Sequence, residues 1–303
     1  MTSINGFPSP YSTVPLPVDN GRSLSYHLIR RMPVTTSQQI TRYFQQFSNA
    51  EVTFTREVVR AIRLNSKHVY VKCLGSQWPC IVYAASMTTA KIIASLRSGL
   101  NDCVLKTHGL IQLRLSFSEP DKPDPITFFV PARVAGKTPY GEPDRDLFFV
   151  SLDYTQRPPD DLIQILGQLL EANVNAKRRR EDRIALSAHS VKQLGLAVEQ
   201  CALSVDGVPR RAIFRDLSFS GCKAILVGVG RLLVNKPVSV RLVFEDPEER
   251  FDIPGAIARF DPVEGRGDIA AFAIQFDEAK VPMAVKIRVN AALKQFRSKT
   301  KAD

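Results

Sequence analysis

No apolar run in the chain approaches the ~20 residues that a membrane-spanning helix needs, and no Cys-x-x-Cys pair occurs. Cysteine is scarce. The five at 73, 80, 103, 201 and 222 are odd in number and scattered, so they read as reduced thiols rather than a disulfide framework. The four histidines lie far apart and show no zinc spacing. Enzyme signatures are missing too. Gly228-x-Gly230 lacks the third glycine and the βαβ setting of a dinucleotide fingerprint. No Gly-x-Ser-x-Gly elbow is present. Cys103 and His108 are neighbours in sequence only, and Asp160-Asp161 suits a helix start better than a metal site. No catalytic residue, metal or cofactor is therefore expected. The first 20 residues hold Pro, Ser and Gly but no apolar core, which argues against a secretory signal and for a cytoplasmic location.

What the chain does have is positive charge. Its 303 residues carry a formal +11, which favours anionic partners without choosing between nucleotides, nucleic acid and acidic proteins. The length suits about two domains. A tail is expected over 1–25 and a helix over 36–47, where Ile40, Tyr43, Phe44 and Phe47 share a face. Strands are expected over 52–64, 69–74 and 78–84, with a turn at Gly75-Ser76. A short helix over 88–97 would stop at Gly99. Further strands are expected over 110–117, 126–134 and 147–153. Pro158-Pro159-Asp160-Asp161 opens another helix, fading near 173–175. Beyond it, strand-like segments at 195–203, 211–217, 222–227, 238–244, 253–260 and 269–276 lead to a closing helix over 283–296. That reading is mainly β with flanking helices, arranged as barrels or sandwiches. No repeat period is obvious, although each half has a β-rich middle followed by a helix.

Two motifs stand out. Arg178-Arg179-Arg180-Glu181-Asp182-Arg183 contains Arg179-x-x-x-Arg183, and Asp216-Leu217-Ser218-Phe219-Ser220-Gly221 is an Asp-x-Ser-x-x-Gly. Arginine presents a planar fork of donors matched to phosphate and to the acceptor edge of guanine. Asp216 can accept from guanine's N1/N2 edge and Ser218 can donate to an oxygen, while Gly221 permits close backbone approach. Taken singly, a basic run is most often a solvated face or a nucleic-acid patch, and Asp-x-Ser-x-x-Gly an ordinary turn. Their combination, one opening a β-rich domain and the other joining two of its strands, is much more specific. Against the nucleic-acid reading, no recognition-helix motif is present and aromatics near the run are sparse.

The combination resembles the PilZ family of cyclic di-GMP receptors, on Arg179 and Arg183, the preceding Arg178, and Asp216, Ser218 and Gly221. The resemblance covers about 100 residues, roughly 177 to 277, and implies a six-stranded β-barrel with a C-terminal helix. It also implies cyclic di-GMP as ligand, bound by Arg178, Arg179, Arg183, Asp216, Ser218 and Gly221, and a downstream protein partner whose identity the sequence does not give. The stretches 72–83, 88–99 and 155–161 resemble the N-terminal domain of two-domain, YcgR-like PilZ receptors, themselves PilZ-like barrels. That half lacks both motifs, since Arg60-x-x-Arg63 has the wrong spacing, and is expected to serve interaction or regulation. The implied organisation is a tail over 1–25, a PilZ-like domain over 26–157, a helix and arginine-rich linker over 158–183, and a PilZ domain with its helix over 177–303. Because the arginine run is both clamp and linker, ligand binding is expected to order it and change domain orientation.

Overall fold

The computed structural model describes residues 36–96, 99–119, 123–141, 146–178, 181–245, 247–263 and 265–300. The expected tail over 1–25 lies outside the described residues.

The first half runs α1 (Ser37–Phe47), β1 (Val52–Thr53), α2 (Arg56–Ala61), β2 (Tyr70–Cys73), β3 (Ser76–Ala85), β4 (Thr89–Ser95), α3 (Leu100–Lys106), β5 (Leu110–Phe117), β6 (Ile126–Pro139), β7 (Leu147–Tyr154) and α4 (Asp160–Arg178). The second runs β8 (Ile184–Ala185), α5 (Ala188–Leu194), β9 (Ala202–Val205), β10 (Val208–Arg210), β11 (Ala212–Leu217), β12 (Gly221–Val227), α6 (Gly230–Leu233), β13 (Pro237–Glu245), β14 (Glu248–Val263), β15 (Arg266–Phe276) and α7 (Met283–Thr300). Each half has its own apolar core, one closed over by Ile40, Tyr43, Leu113 and Leu152, the other by Leu194, Phe244, Phe272 and Val289. The chain is mainly β with flanking helices, as its strand patterning implies.

In the first half β2, β3, β4, β7, β6 and β5 pair in a ring, a closed six-stranded barrel. The second half forms an eight-stranded sheet in the order β10-β9-β13-β14-β15-β12-β11-β8, an open barrel that lacks the β10–β11 ladder needed to close it. The barrel expected of the first half is thus closed and six-stranded, whereas the six-stranded barrel expected of the second half is not closed. The reason is local: β10 and β11 occupy the place of the single strand β3 and are parted at Arg211.

The two halves are in fact the same unit twice. Val52 pairs with Ala85 as Ile184 pairs with Leu217. The β2–β3 turn at Leu74-Gly75 and the β9–β10 turn at Asp206-Gly207 both take positive φ at both positions. The β3–β4 and β11–β12 hairpins both have an irregularity at the corresponding residue, between Val82 and Ala84 and between Phe214 and Asp216. Ser86 N–H donates to Thr89 O as Ser218 N–H donates to Gly221 O. From Val52/Ile184 to Lys91/Lys223 the offset is a constant 132 residues (184 − 52 and 223 − 91).

Several elements differ from their sequence reading. The strand expected over 52–64 breaks after Thr53, because Thr55 caps α2 by accepting from Val58 N–H. The helix expected over 88–97 is strand β4, with Ala90, Ile92 and Ala94 inward at period two. Gly99 starts α3 rather than ending a helix, at φ +82°. The turn falls at Leu74-Gly75, with Ser76 already paired to Cys73. Gly195 closes α5 in a left-handed conformation, so the strand expected from 195 begins only at Ala202. Finally, α4 does not fade at 173–175 but continues to Arg178.

The length of α4 has a cause in packing. Its first turn carries Asp160 and Asp161 and its last Lys177 and Arg178, complementing the helix dipole at both ends. Asn175 Nδ2 donates to Asn290 Oδ1 on α7 at 2.7 Å, so an asparagine that would otherwise weaken the helix is satisfied. Glu171, 8% exposed, is the hub where the two halves meet. Tyr43 Oη donates to it at 3.0 Å, Arg42 Nη2 at 3.0 Å and Asn290 Nδ2 at 3.3 Å, and Lys294 forms an ion pair with it. Glu171→Ala should cost about 2 kcal/mol in a urea titration, since it strands several donors that are only partly exposed to water. A loss below about 0.5 kcal/mol would mean that water replaces the carboxylate freely.

Candidate functional site

The second motif is the β11–β12 hairpin, and its residues do different work. Asp216 Oδ1 accepts from Arg183 Nη1 at 2.7 Å and from the backbone N–H of Lys223 at 2.9 Å. The irregularity after Phe214 aims Asp216 at the segment that enters β8. Asp216 also lies opposite Ala185, which brings the start of β8, and Arg183 just before it, alongside. Ser218 is 1% exposed. Its backbone N–H and its hydroxyl both donate to Gly221 O, at 2.8 and 3.0 Å, closing the turn. Gly221 lies opposite Gln275, and a Cβ there would sit 2.0 Å from Ile274 O. Its lack of a side chain serves close strand approach, not a positive φ.

Arg178 is exposed at the last turn of α4. Arg179 lies outside the described residues. Of the six residues read from the sequence, the structure therefore places Asp216, Ser218 and Gly221 on one hairpin, sets Arg183 against Asp216 from the segment that enters β8, and puts Arg178 at the end of α4. Two further cations border this group. Lys223 Nζ donates to Asp261 Oδ2 at 2.7 Å and holds that carboxyl below its usual range. Arg259 lies opposite Ala273, which in turn lies opposite Lys223. The sequence reading missed both. Lys223 was findable, two residues beyond Gly221 and on the same side of the strand as Asp216; Arg259 depends on pairing across β14 and β15.

Among the described residues no cluster of three or more His, Cys, Asp or Glu could hold a metal, and no helix is long and apolar enough to cross a membrane. The five cysteines are free thiols and four are buried. Burial pushes the Cys80 thiol up to about 12 and raises Cys222 as well, so neither is poised as a nucleophile.

Comparison with known proteins bears on the same residues. Residues 38–173 match the PilZN3 domain and residues 177–293 the PilZ domain. A cyclic di-GMP binding protein of Treponema denticola is 41% identical over 259 residues, covering 86% of this chain and 82% of the relative. The chain belongs to the PilZ family. Its arginine run and its Asp-x-Ser-x-x-Gly hairpin both fall inside the PilZ domain. Among solved structures, the PlzA protein of Borreliella burgdorferi in complex with c-di-GMP aligns with 84% of this chain and 98% of its own, at 18% identity and a TM-score of 0.39. YcgR of Escherichia coli, also in complex with c-di-GMP, aligns with 81% of this chain and 91% of its own, at 13% identity and a TM-score of 0.28.

Proposed function

We propose that this PilZN3–PilZ chain is a non-enzymatic receptor for cyclic di-GMP, acting in the cytoplasm on a downstream protein. The observation that carries the reading is the pairing of Arg183 with Asp216 on the hairpin closed by Ser218 and Gly221. Asp216 fixes one arginine fork at the barrel surface, leaving the other donors of that fork for a phosphate or for guanine O6 and N7. Arg178, at the end of α4, and Arg179, next in sequence, would supply further forks. Oδ2 of Asp216 is the acceptor left for guanine N1 and N2. Ser218 acts indirectly, by shaping the turn.

Cyclic di-GMP should therefore bind in preference to cyclic di-AMP, whose adenine edge offers Arg no paired O6/N7 acceptors. Calorimetry with both dinucleotides tests this; equal affinities would remove the guanine-edge argument. A salt titration separates the receptor reading from nucleic-acid binding through the basic run. Affinity for a ligand with two phosphates should fall modestly with salt, whereas nucleic acid would show the steep slope of counterion release over many phosphates.

The proposed output is a change in domain orientation. The chain passes from α4 to β8 through Arg179 to Arg183, and α4 itself contacts α1 of the first domain and α7 of the second. Ligand held by that arginine segment would act at the end of a helix gripped by both domains. It can shift their orientation only by its differential affinity for the arrangements. A spin-label pair, one on each barrel, should show a narrower distance distribution with saturating cyclic di-GMP. An unchanged distribution would refute the switch and leave the binding site untouched.

A further inference from the structure

The 132-residue offset makes it possible to ask what the first barrel carries where the second carries its candidate site. Ala84 stands for Asp216 and Thr89 for Gly221, and Glu51, the residue just before the shared segment, stands where Arg183 does. The anion clamp is gone and its charge is partly reversed. One cation survives: Lys91 at the place of Lys223. In the second barrel Lys223 is neutralised by Asp261, which lies opposite Ala271 on β15. In the first, the counterpart of Ala271 is Phe149, opposite Ile93, and the residue opposite Phe149 on β6 is Thr138. Lys91 Nζ sits instead 4.7 Å from the Phe149 ring centroid and 5.8 Å from that of Tyr83, with no ion pair to a carboxylate among the described residues.

On the side of that ammonium toward Phe149 the surface is aromatic and aliphatic, while Ser151 lies opposite Lys91 and Asp153, the next residue on that face of β7, makes no ion pair with it. The Tyr83 and Tyr140 rings meet Phe149 edge-on at 4.9 and 4.7 Å. Tyr83 and Tyr140 are each 40% exposed, and Ile81, next outward on β3, is 64% exposed. Rigid aromatics around a single charge are the composition of a protein-binding hot spot. We propose that this outer face of β3, β4, β7 and β6 docks a partner protein that inserts an apolar side chain against Tyr83, Tyr140 and Ile81 and sets a carboxylate on Lys91. The missing counterpart of Asp261 is the charge argument: the partner supplies the acid that the second barrel supplies itself. A second copy of this chain would bring two Lys91 ammoniums face to face. Nucleic acid would meet Glu51 in place of an arginine, and a Phe149 ring already engaged by the ammonium.

The test uses the full chain in its own cells, with a photo-crosslinking residue at Tyr83, at Tyr140, or at Val208 on the second barrel as background. The expected result is one protein, identified by mass spectrometry, captured from positions 83 and 140 and not from 208. With that protein purified, Lys91→Glu should weaken the complex at least about tenfold, and changing the partner's contacting carboxylate to lysine should restore it. Cyclic di-GMP affinity of Lys91→Glu, measured in parallel, should stay at the parent value, showing an intact second domain. Crosslinks only to another copy of this chain, to nucleic acid, or at the level of position 208 would overturn the proposal. So would a complex whose affinity Lys91→Glu changes by less than about twofold.

Discussion

Arg183→Ala should weaken cyclic di-GMP binding by roughly 10- to 150-fold, the range that 1.5–3 kcal/mol for hydrogen bonds to a charged partner implies. The pairing with Asp216 sets this expectation. A long side chain on a strand entry would otherwise lose rotamer freedom on binding; here the carboxylate has already fixed it. Asp216→Ala should therefore also weaken binding, by removing that hold and the acceptor for Lys223 N–H. The two losses should not add. Once Arg183 is gone, Asp216 has little left to position, and a double-mutant cycle should return a coupling of about 1 kcal/mol or more. Calorimetry on the parent, both single variants and the double variant measures all four corners. Binding by Arg183→Ala within twofold of the parent would refute the site. Full additivity would leave the site standing but make Asp216 an independent ligand contact.

The closeness of the candidate residues was more legible in the sequence than the elements around them. Asp216, Ser218 and Gly221 are adjacent because their motif spans a hairpin, which is legible in one dimension, while Arg183 reaches them through the pairing of β8 with β11. What each residue does was not legible. Ser218 looks like a ligand donor in the sequence, and only its burial and its bonds to Gly221 O show that it shapes the turn. Lys223 joins the surface within the hairpin, opposite Asp216, but Arg259 joins it only through pairing across strands far apart in sequence. The duplication was illegible for a related reason. What the halves share over the 132-residue offset is mainly burial alternation, two positive-φ turns and an irregularity, while few identities survive, among them Ile81/Ile213, Ser86/Ser218 and Lys91/Lys223. Strand β4 was read as a helix because alanine and isoleucine over seven residues fit either period. Pairing with β3 and β7 decides for the strand. Asn173 and Asn175 suggested a helix end, and the α7 partner that satisfies Asn175 lies 115 residues away.

Gly221→Thr, which copies the residue of the first barrel into the second, should destabilise the protein by about 3 kcal/mol or more, at the upper end of what overpacking costs. Thr89 occupies the same hairpin position in the first barrel, so a turn of this shape does not by itself require glycine. The requirement comes from β15. A Cβ on Gly221 would lie 2.0 Å from Ile274 O, and one on Gly255, on the opposite side, 2.2 Å from Gln275 O. Strand β15 is pinched between two residues without side chains, and backbone atoms cannot swing aside as a flexible side chain can. To admit threonine, β12 has to retreat from β15. The retreat strains the Gly221 carbonyl that takes both bonds from Ser218, and through the hairpin it moves Asp216. Urea unfolding should show a lower midpoint with an unchanged slope, and cyclic di-GMP binding should weaken even where the variant remains folded. Gly255→Ala provides the control. It stands outside the Asp-x-Ser-x-x-Gly motif but meets the same strand, so it should lose comparable stability. If Gly221→Thr keeps its stability within about 0.5 kcal/mol and loses only ligand, the glycine is there for the dinucleotide's approach, and the pinched strand is not what demands it.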